Sequence, residues 1–321
     1  MKIRIGILGC ANIARKSVIP AIKALNDRYE LMYVASRTME KADAFAAEFN
    51  CCPLCGYEAL VAAEDVDALY IPLPTGLHVE WVNRALQSGK HVYAEKSIAR
   101  CHADALQMVN HAKAGDLALM EGYMFLYHAQ QRRILDLIGS GAIGEIRHFS
   151  SSFGFPPLPK DNFRYSEEIG GGALLDAAGY TVRAAHLVLG PELKVRAASL
   201  FVDPVAGTSV YGSAFMSNAK GVGASLSFGF DNFYQCRYEI WGSKGKLSAE
   251  RAFTPPPDMC PRITLETASG SEVILADADN HFIRAFEEFH RVCGSPELRQ
   301  EHYAQVLRQS QALDQIRKLG S

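Results

Sequence analysis

Four short stretches of this chain combine residue types that could do chemistry. In Gly170-Gly171-Gly172-Ala-Leu-Leu-Asp176-Ala-Ala-Gly179-Tyr180, the last aspartate and the tyrosine stand four apart. They therefore share one helix face, a carboxylate one turn from a phenol, behind glycines that let the backbone pass close to a ligand. Glu95-Lys96-Ser97 follows the apolar run His91-Val92-Tyr93-Ala94, so an acid and an amine arrive together at a strand end. Gly9, Ala11 and Ala14 follow the apolar run Ile3 to Leu8 with the spacing of a dinucleotide-binding turn. Small residues there let the backbone bend, approach a pyrophosphate and pack the next helix on the strand, with the first helix amides, at Asn12 and Ile13, facing the phosphates.

The fourth stretch is Ser36-Arg37, at the end of a second apolar strand, Glu30 to Ala35. A Rossmann fold reads the adenosine ribose at this point, and an acidic residue would accept from the free 2′-hydroxyl of NAD. None is present. Ser36 can hydrogen-bond a 2′-phosphate and Arg37 can pair with it and stack on adenine. One such contact, at roughly 1.5 to 3 kcal/mol, favours the phosphorylated cofactor about ten- to a hundredfold. NADP(H) is therefore expected ahead of NAD(H); a surface arginine opening the next helix is the competing account.

These residues require particular elements behind them. Strands at Ile3 to Leu8, Glu30 to Ala35, Cys52 to Cys55, Val66 to Pro72, His91 to Ala94 and Leu117 to Met120 alternate with helices at Ile13 to Leu25, Met39 to Phe49, Tyr57-Glu58, His78 onward and His102 to Ala114. Pro20 should kink or restart the first helix. This alternation specifies a doubly wound parallel α/β sheet. The loop Pro72-Leu73-Pro74-Thr-Gly-Leu-His78 leaves the carboxyl end of its strand, where such a sheet binds its ligand. Pro72, Leu73, Pro74, His78, Glu95 and Lys96 are thus expected around the cofactor, although a histidine at a helix start more often packs or hydrogen-bonds locally than catalyses.

Beyond residue 125 the pattern changes. A helix at Ala129 to Ile138 precedes a strand at Ile143 to Phe155, and strict alternation follows at Val222, Ala224, Leu226, Phe228 and Phe230 and at Tyr234, Cys236, Tyr238 and Ile240. Such strands bury one face, as in a large, open, mostly antiparallel sheet. Gln235, Arg237, Glu239 and Trp241 fall on the other face, which could join copies of the chain into a homodimer or homotetramer. Helices at Asn280 to Cys293 and Glu301 to Leu319 close the chain and could pack back on the first domain. The expected domains are residues 1–122 and 123–321.

Composition narrows the function classes. The chain has 321 residues, 48% hydrophobic and 21% charged, with a net charge of −2, which suits two domains with real cores. A pI near 6.6 with no basic block argues against nucleic acid or a membrane surface as partner, leaving small molecules. No signal-like or bilayer-length apolar segment is evident, so a cytoplasmic location is expected. Eight cysteines form no disulfide scaffold; Cys10, Cys101, Cys236 and Cys293 read as small apolar residues. Cys51, Cys52 and Cys55 offer half a zinc or redox spacing without its second half, so a short strand is preferred and no metal is expected.

The turn Gly9-Cys-Ala-Asn-Ile-Ala14, the Glu95-Lys96 pair, Met120-Glu121-Gly-Tyr-Met124 and the Gly170 to Tyr180 segment together resemble the glucose-fructose oxidoreductase/inositol dehydrogenase/rhizopine catabolism (Gfo/Idh/MocA) family, in order from residue 3 to about 250. The resemblance implies an NAD(P)-dependent oxidoreductase with a Rossmann domain and a C-terminal α/β domain whose open sheet serves oligomerisation. Tyr180, in place of the histidine of the inositol dehydrogenase branch, is similar to the branch of glucose-fructose oxidoreductase, dihydrodiol dehydrogenase and deoxysugar 3-ketoreductases, and Ala35-Ser36-Arg37 looks like its NADP-using members.

Carried over by position, Lys96, Asp176 and Tyr180 are implied to be catalytic. Hydride would pass between nicotinamide and a carbinol or carbonyl carbon of a sugar-like substrate while Tyr180 exchanges the proton. A phenol titrates near ~10, and a lysine charge about 4 Å away contributes roughly 4 kcal/mol toward its ionised form at an effective dielectric near 20. Lys96 as direct acid is the reverse assignment, and Asp176 could hold a substrate hydroxyl, orient Lys96 or pair locally. Phe163 and Arg164 could line the substrate pocket, Arg164 meeting a phosphate or carboxylate, or form part of a surface loop. Ser97 replaces the family proline, which should loosen the turn aiming Lys96; Leu126 replaces an arginine and Ala129 a proline. A dihydrodiol or xylose dehydrogenase, and a cofactor-binding sensor without turnover, are the alternatives.

Overall fold

The computed structural model describes residues 2–320, which divide into two compact units. The first comprises residues 2–122 with Phe282–Ser310, and the second Tyr123–His281 with the chain from Gln311. Strands β1 (Ile3–Leu8), β2 (Tyr29–Ser36), β3 (Cys52–Cys55), β4 (Ala68–Ile71), β5 (His91–Ala94) and β6 (Leu119–Glu121) form one parallel sheet in the order β3-β2-β1-β4-β5-β6. Helices α1 (Ile19–Ala24), α2 (Met39–Phe49), α3 (Tyr57–Ala62), α4 (His78–Gln87) and α5 (His102–Ala114) alternate with the strands. Because helices cover such a sheet, Ile5, Ile7, Leu8, Leu69, Ile71 and Val92 are fully buried.

Helix α2 has the expected range, and its buried stripe is Ala42, Phe45, Ala46 and Phe49. The first helix differs from expectation. A five-residue π-helical segment, Ala14–Val18, precedes α1, and Pro20 sits in the first turn of α1, where its missing amide hydrogen costs nothing. The irregularity therefore lies ahead of the proline. Strand β6 runs two residues later than expected at its start and includes Glu121. On α4, His78, Trp81, Val82, Ala85 and Leu86 are buried, and Val79 is only partly covered.

The second unit holds β7 (Ile146–Gly154), β8 (Lys194–Val202), β9 (Ser209–Ser217), β10 (Gly223–Gly229), β11 (Gln235–Gly242), β12 (Gly245–Glu250), β13 (Arg262–Thr267) and β14 (Gly270–Leu275), in the order β14-β13-β12-β11-β7-β10-β9-β8. Only β7 and β10 pair in parallel. Ala224, Leu226, Phe228, Cys236, Tyr238 and Ile240 are buried, so the alternation marks the covered face as read. Helices α6 (Ala129–Gly139) and α7 (Gly179–Leu189) belong to this unit, and a second π-helical segment, Leu174–Ala178, leads into α7.

Two helices follow, α8 (His281–Gly294) and α9 (Pro296–Gly320), the latter starting five residues earlier than expected because Pro296 is well suited to a first helical position. Phe286 of α8 stacks on Tyr93 with centroids 4.8 Å apart and accepts the Tyr29 hydroxyl on its carbonyl at 2.6 Å. These contacts anchor α8 to the parallel sheet.

Candidate active site

In the first unit, the predicted nucleotide residues gather at the carboxyl ends of β1, β2 and β4. Gly9 donates its amide to the Ala35 carbonyl at 3.0 Å and adopts φ +127°, which glycine alone adopts without strain. A Cβ there would come within 2.8 Å of Leu73 Cδ2, so the turn is a cradle that a side chain would fill. Ala14 is fully buried, Ala11 and Ile13 are partly exposed and Asn12 is exposed, and the π-helical turn has no acidic residue to repel phosphate. Ser36 is buried and Arg37 exposed, with no carboxylate beside them in sequence. This donor set fits a phosphorylated dinucleotide.

The turn that carries Lys96 is held from several sides. His78, fully buried at the start of α4, places Nδ1 3.0 Å from the Ser97 carbonyl and 3.1 Å from that of Ile98, and Nε2 2.8 Å from the Leu73 carbonyl. Burial keeps this imidazole below its ordinary titration range, while the three carbonyls oppose that shift. Glu121 Oε1 accepts the Ile98 amide at 2.8 Å, and Glu95 Oε1 accepts the Tyr70 hydroxyl at 2.7 Å. A Cβ on Gly122 would lie 3.2 Å from the Ala94 carbonyl oxygen and 3.3 Å from Glu95 Oε1. The Lys96–Ser97 peptide bond is cis. Sequence reasoning missed this clamp; Glu121 and Gly122, inside the quoted Met120 to Met124 stretch, were its available signal. His78 is accordingly placed as a link between the Leu73 loop and the lysine turn.

In the second unit, the ring of Tyr180 lies among Phe153 at 4.7 Å, Tyr123 at 5.4 Å, Phe253 at 5.7 Å and Phe125 at 5.9 Å. It is 5% exposed. Arg183, three residues on, lies over the Tyr123 ring at 5.8 Å. Asp176 pairs with Arg164, whose Nε donates to Oδ2 at 2.6 Å, and the guanidinium stacks on Phe163 at 4.6 Å. Phe163 itself is 42% exposed.

The glycines explain how Arg164 reaches Asp176. Gly172 and Gly171 donate their amides to the carbonyls of Arg164 and Ser166 at 2.8 and 2.9 Å. A Cβ on Gly171 would lie 2.7 Å from the Ser166 carbonyl oxygen and closer still to that of Arg164. The Asn162 side chain accepts from the Arg164 amide at 3.1 Å. The glycine turn thus receives a loop of its own chain, a partnership invisible in a linear motif.

The departure at Ala129 also has a structural use: its amide, which a proline lacks, donates to Asp279 Oδ2 at 3.0 Å. Leu126 lies in the short 3₁₀ turn Met124–Tyr127. A cavity of about 630 Å³ in the first unit lies at the opposite ends of the strands, lined by Ile3, Val66, Lys90, His91, His290 and Cys293. Its lysine donates to the Ala63 and Val66 carbonyls at 2.7 and 2.9 Å. Cys52 and Cys55 flank the edge strand β3, and burial raises Cys10 and pushes Cys51 up to about 11, so these remain thiols. Among the described residues no group of three or more His, Cys, Asp or Glu is arranged to hold a metal, and no helix is long and apolar enough to cross a membrane.

The chain is 39% identical over 315 residues to dTDP-3,4-didehydro-2,6-dideoxy-alpha-D-glucose 3-reductase from Actinomadura kijaniata, covering 98% of this chain and 95% of that one. It is 30% identical over 321 residues to D-xylose 1-dehydrogenase (NADP(+)) 2 from Haloferax volcanii, covering 98% of each. The crystal structure of a 3-ketoreductase from A. kijaniata with NADP and TDP-benzene superposes with a TM-score of 0.95 at 39% identity, over 99% of this chain and 98% of that one. That ketoreductase has also been crystallised with a lysine or a tyrosine replaced, and those two residues are separated by the same interval as Lys96 and Tyr180. Residues 3–123 match the oxidoreductase family with an NAD-binding Rossmann fold and residues 131–248 match the GFO/IDH/MocA C-terminal domain, so the chain belongs to the Gfo/Idh/MocA oxidoreductase family.

Proposed function

We propose that this oxidoreductase uses NADP(H) to interconvert a carbonyl and a carbinol carbon of a sugar derivative, with a nucleotide-linked ketosugar as the leading substrate. The observation that carries the reading is the tyrosine itself: a nearly buried phenol at the start of a helix, behind Asp176 and the glycine turn, at the interval from Lys96 that recurs in a 3-ketoreductase covering nearly the whole chain. Gly9, Ala11, Asn12 and Ile13 hold the pyrophosphate through backbone groups, Ser36 and Arg37 hold the 2′-phosphate, and Pro72, Leu73, Pro74, Glu95 and Lys96 border the nicotinamide end, with His78 behind them. When bound, the nicotinamide supplies the hydride chemistry.

Tyr180 gives the proton to the substrate oxygen in reduction and takes it in oxidation, and the Lys96 ammonium favours the phenolate left behind. Asp176 and Arg164 meet the substrate beside it, with Phe163 at the pocket rim. A second reading, favoured by the rigid carbonyl clamp around residues 96–98, makes Lys96 the direct donor and Tyr180 the positioning group. The likeness to the xylose enzyme supports free aldoses as the next substrate class. Copies of the chain pair through the open face of the eight-stranded sheet, where Phe201, Tyr211 and Trp241 are 44%, 43% and 62% exposed.

The test is a panel of nucleotide-linked ketosugars, aldoses and dihydrodiols followed by nicotinamide absorbance, with Lys96→Ala and Tyr180→Phe beside wild type. Turnover of a sugar derivative that both substitutions abolish is the expected result. Turnover indifferent to both overturns the proton assignment, and NADPH binding without turnover on any substrate leaves a sensor.

A further inference from the structure

The geometry points to Arg164 as a positioning residue that cancels the Asp176 charge beside Tyr180 and so sets the pH at which that phenol exchanges its proton. This rests on the reading that Tyr180 carries the proton. Asp176, in the π-helical segment, and Tyr180, in the first turn of α7, stand four residues apart in continuous helix, so charge on one acts on the other. A bare carboxylate there would disfavour the phenolate and raise the phenol's titration point. The ring of Tyr180 is enclosed by Phe153, Tyr123, Phe253 and Phe125, which screen poorly, so a nearby charge keeps its reach.

Arg164 is built for the cancelling role. Its side chain comes from a loop rather than from the helix, and the loop is pinned at three points: the Asn162 side chain, the Gly171 amide and the Gly172 amide. Phe163 supports the guanidinium plane, leaving Nε aimed at Oδ2. Other titratable or charged groups in this surround include Tyr123, which touches Tyr180 edge to face, and Arg183, which lies over Tyr123. From the first unit, the proposed mechanism adds Lys96. Among these groups Asp176 is the carboxylate, and Arg164 is an ion-pair partner of it, Nε to Oδ2 at 2.6 Å.

The experiment compares the pH dependence of kcat for wild type, Arg164→Gln, Arg164→Lys and Asp176→Asn on one turned-over substrate. Removing the cation should move the limb assigned to Tyr180 upward by about one pH unit, and removing the anion should move it downward. Arg164→Lys, which keeps the charge, should leave the limb near its wild-type position while lowering kcat. Should Arg164→Gln fail to fold, Arg164→Met serves as the second charge-removing variant, with the same upward shift expected and an unmoved limb overturning the role. Changes in kcat or KM with every limb at the wild-type pH overturn the role of Arg164. Tyr180→Phe separates the two readings: if it keeps both turnover and the limb, the proton assignment itself has failed.

Discussion

Each unit leads into a helix through a π-helical turn, Ala14–Val18 in one and Leu174–Ala178 in the other, and the two are built by opposite means. The first is made by omission. Gly9 takes a left-handed conformation against Leu73, Ala14 is buried, and no side chain of the turn is acidic. The second is made by addition: a loop lays carbonyl oxygens on two glycines and sends Arg164 onto Asp176. A turn that must show its backbone to phosphate needs small residues, whereas one that must aim a carboxylate and a phenol needs partners for them. Widened turns of this kind recur at functional sites, and the proposed function gives the first to the cofactor and the second to the proton.

The comparison breaks most readily at Tyr180. If the second turn presents side chains and the first presents backbone, Tyr180→Phe should lower kcat by about 10²- to 10⁴-fold while NADPH affinity, measured by fluorescence titration, stays unchanged. A matching loss of affinity would show that the two turns do not divide the work.

Arg37→Glu tests the nucleotide side. It should reduce the preference for NADPH over NADH by about ten- to a hundredfold, read as the ratio of the two kcat/KM values, and leave the pH profile in place. An unchanged ratio would return Arg37 to the role of a surface residue.

Gly171→Ala and Gly9→Ala sharpen the contrast in construction. The new methyl at 171 meets two carbonyl oxygens, so thermal unfolding should report a loss of about 1 to 3 kcal/mol. The methyl at 9 meets the end of the Leu73 side chain and takes a positive φ, so its main readout should be weaker NADPH binding.

The smallest effect concerns acid. Burial first, and then the neighbouring His128, push His281 down to about 4 from an ordinary 6.5. Its contribution to stability is therefore complete above pH 6.5 and is lost as the pH falls through 6.5 toward 4, where the unfolded chain binds the proton that the folded chain refuses. Between pH 7 and 5.5 this amounts to about 1 kcal/mol. His281→Gln should flatten that part of the melting-temperature profile. If the acid loss persists, His78, held low in the other unit, becomes its source.

Local patterns made much of this fold legible. The parallel sheet, α2, β5, α5 and the alternating strands β10 and β11 follow from periodicity and turn chemistry, because each element's own residues decide which face it buries. The π-helical turns were not legible, since one extra residue per turn leaves no mark on a helical apolar stripe. Among site residues, Asp176 and Tyr180 were expected on one α-helix face, but Asp176 falls in the wider-turned π-helical segment, and its partner Arg164 comes from twelve residues earlier across a loop. The aromatic enclosure of Tyr180 draws on residues 123, 125, 153 and 253, a long-range grouping that no spacing rule connects. Ser97 shows the same limit: replacing proline suggested a loose turn, yet His78 and Glu121 grip its flanking carbonyls and amide.

A single imidazole bears on how this protein could be redesigned. Through His78, the loop that touches Gly9 and the turn that aims Lys96 share one ring, so a graft of either segment from another enzyme would have to bring a matching carbonyl with it. Ser36 and Arg37 have hydrogen-bond partners at Gly56 and Cys55 and none in common with that ring. On the proposed assignment of Ser36 and Arg37, cofactor choice would be rewritten at the end of β2 as an interchangeable cartridge, while the lysine turn and the Leu73 loop would have to be exchanged together.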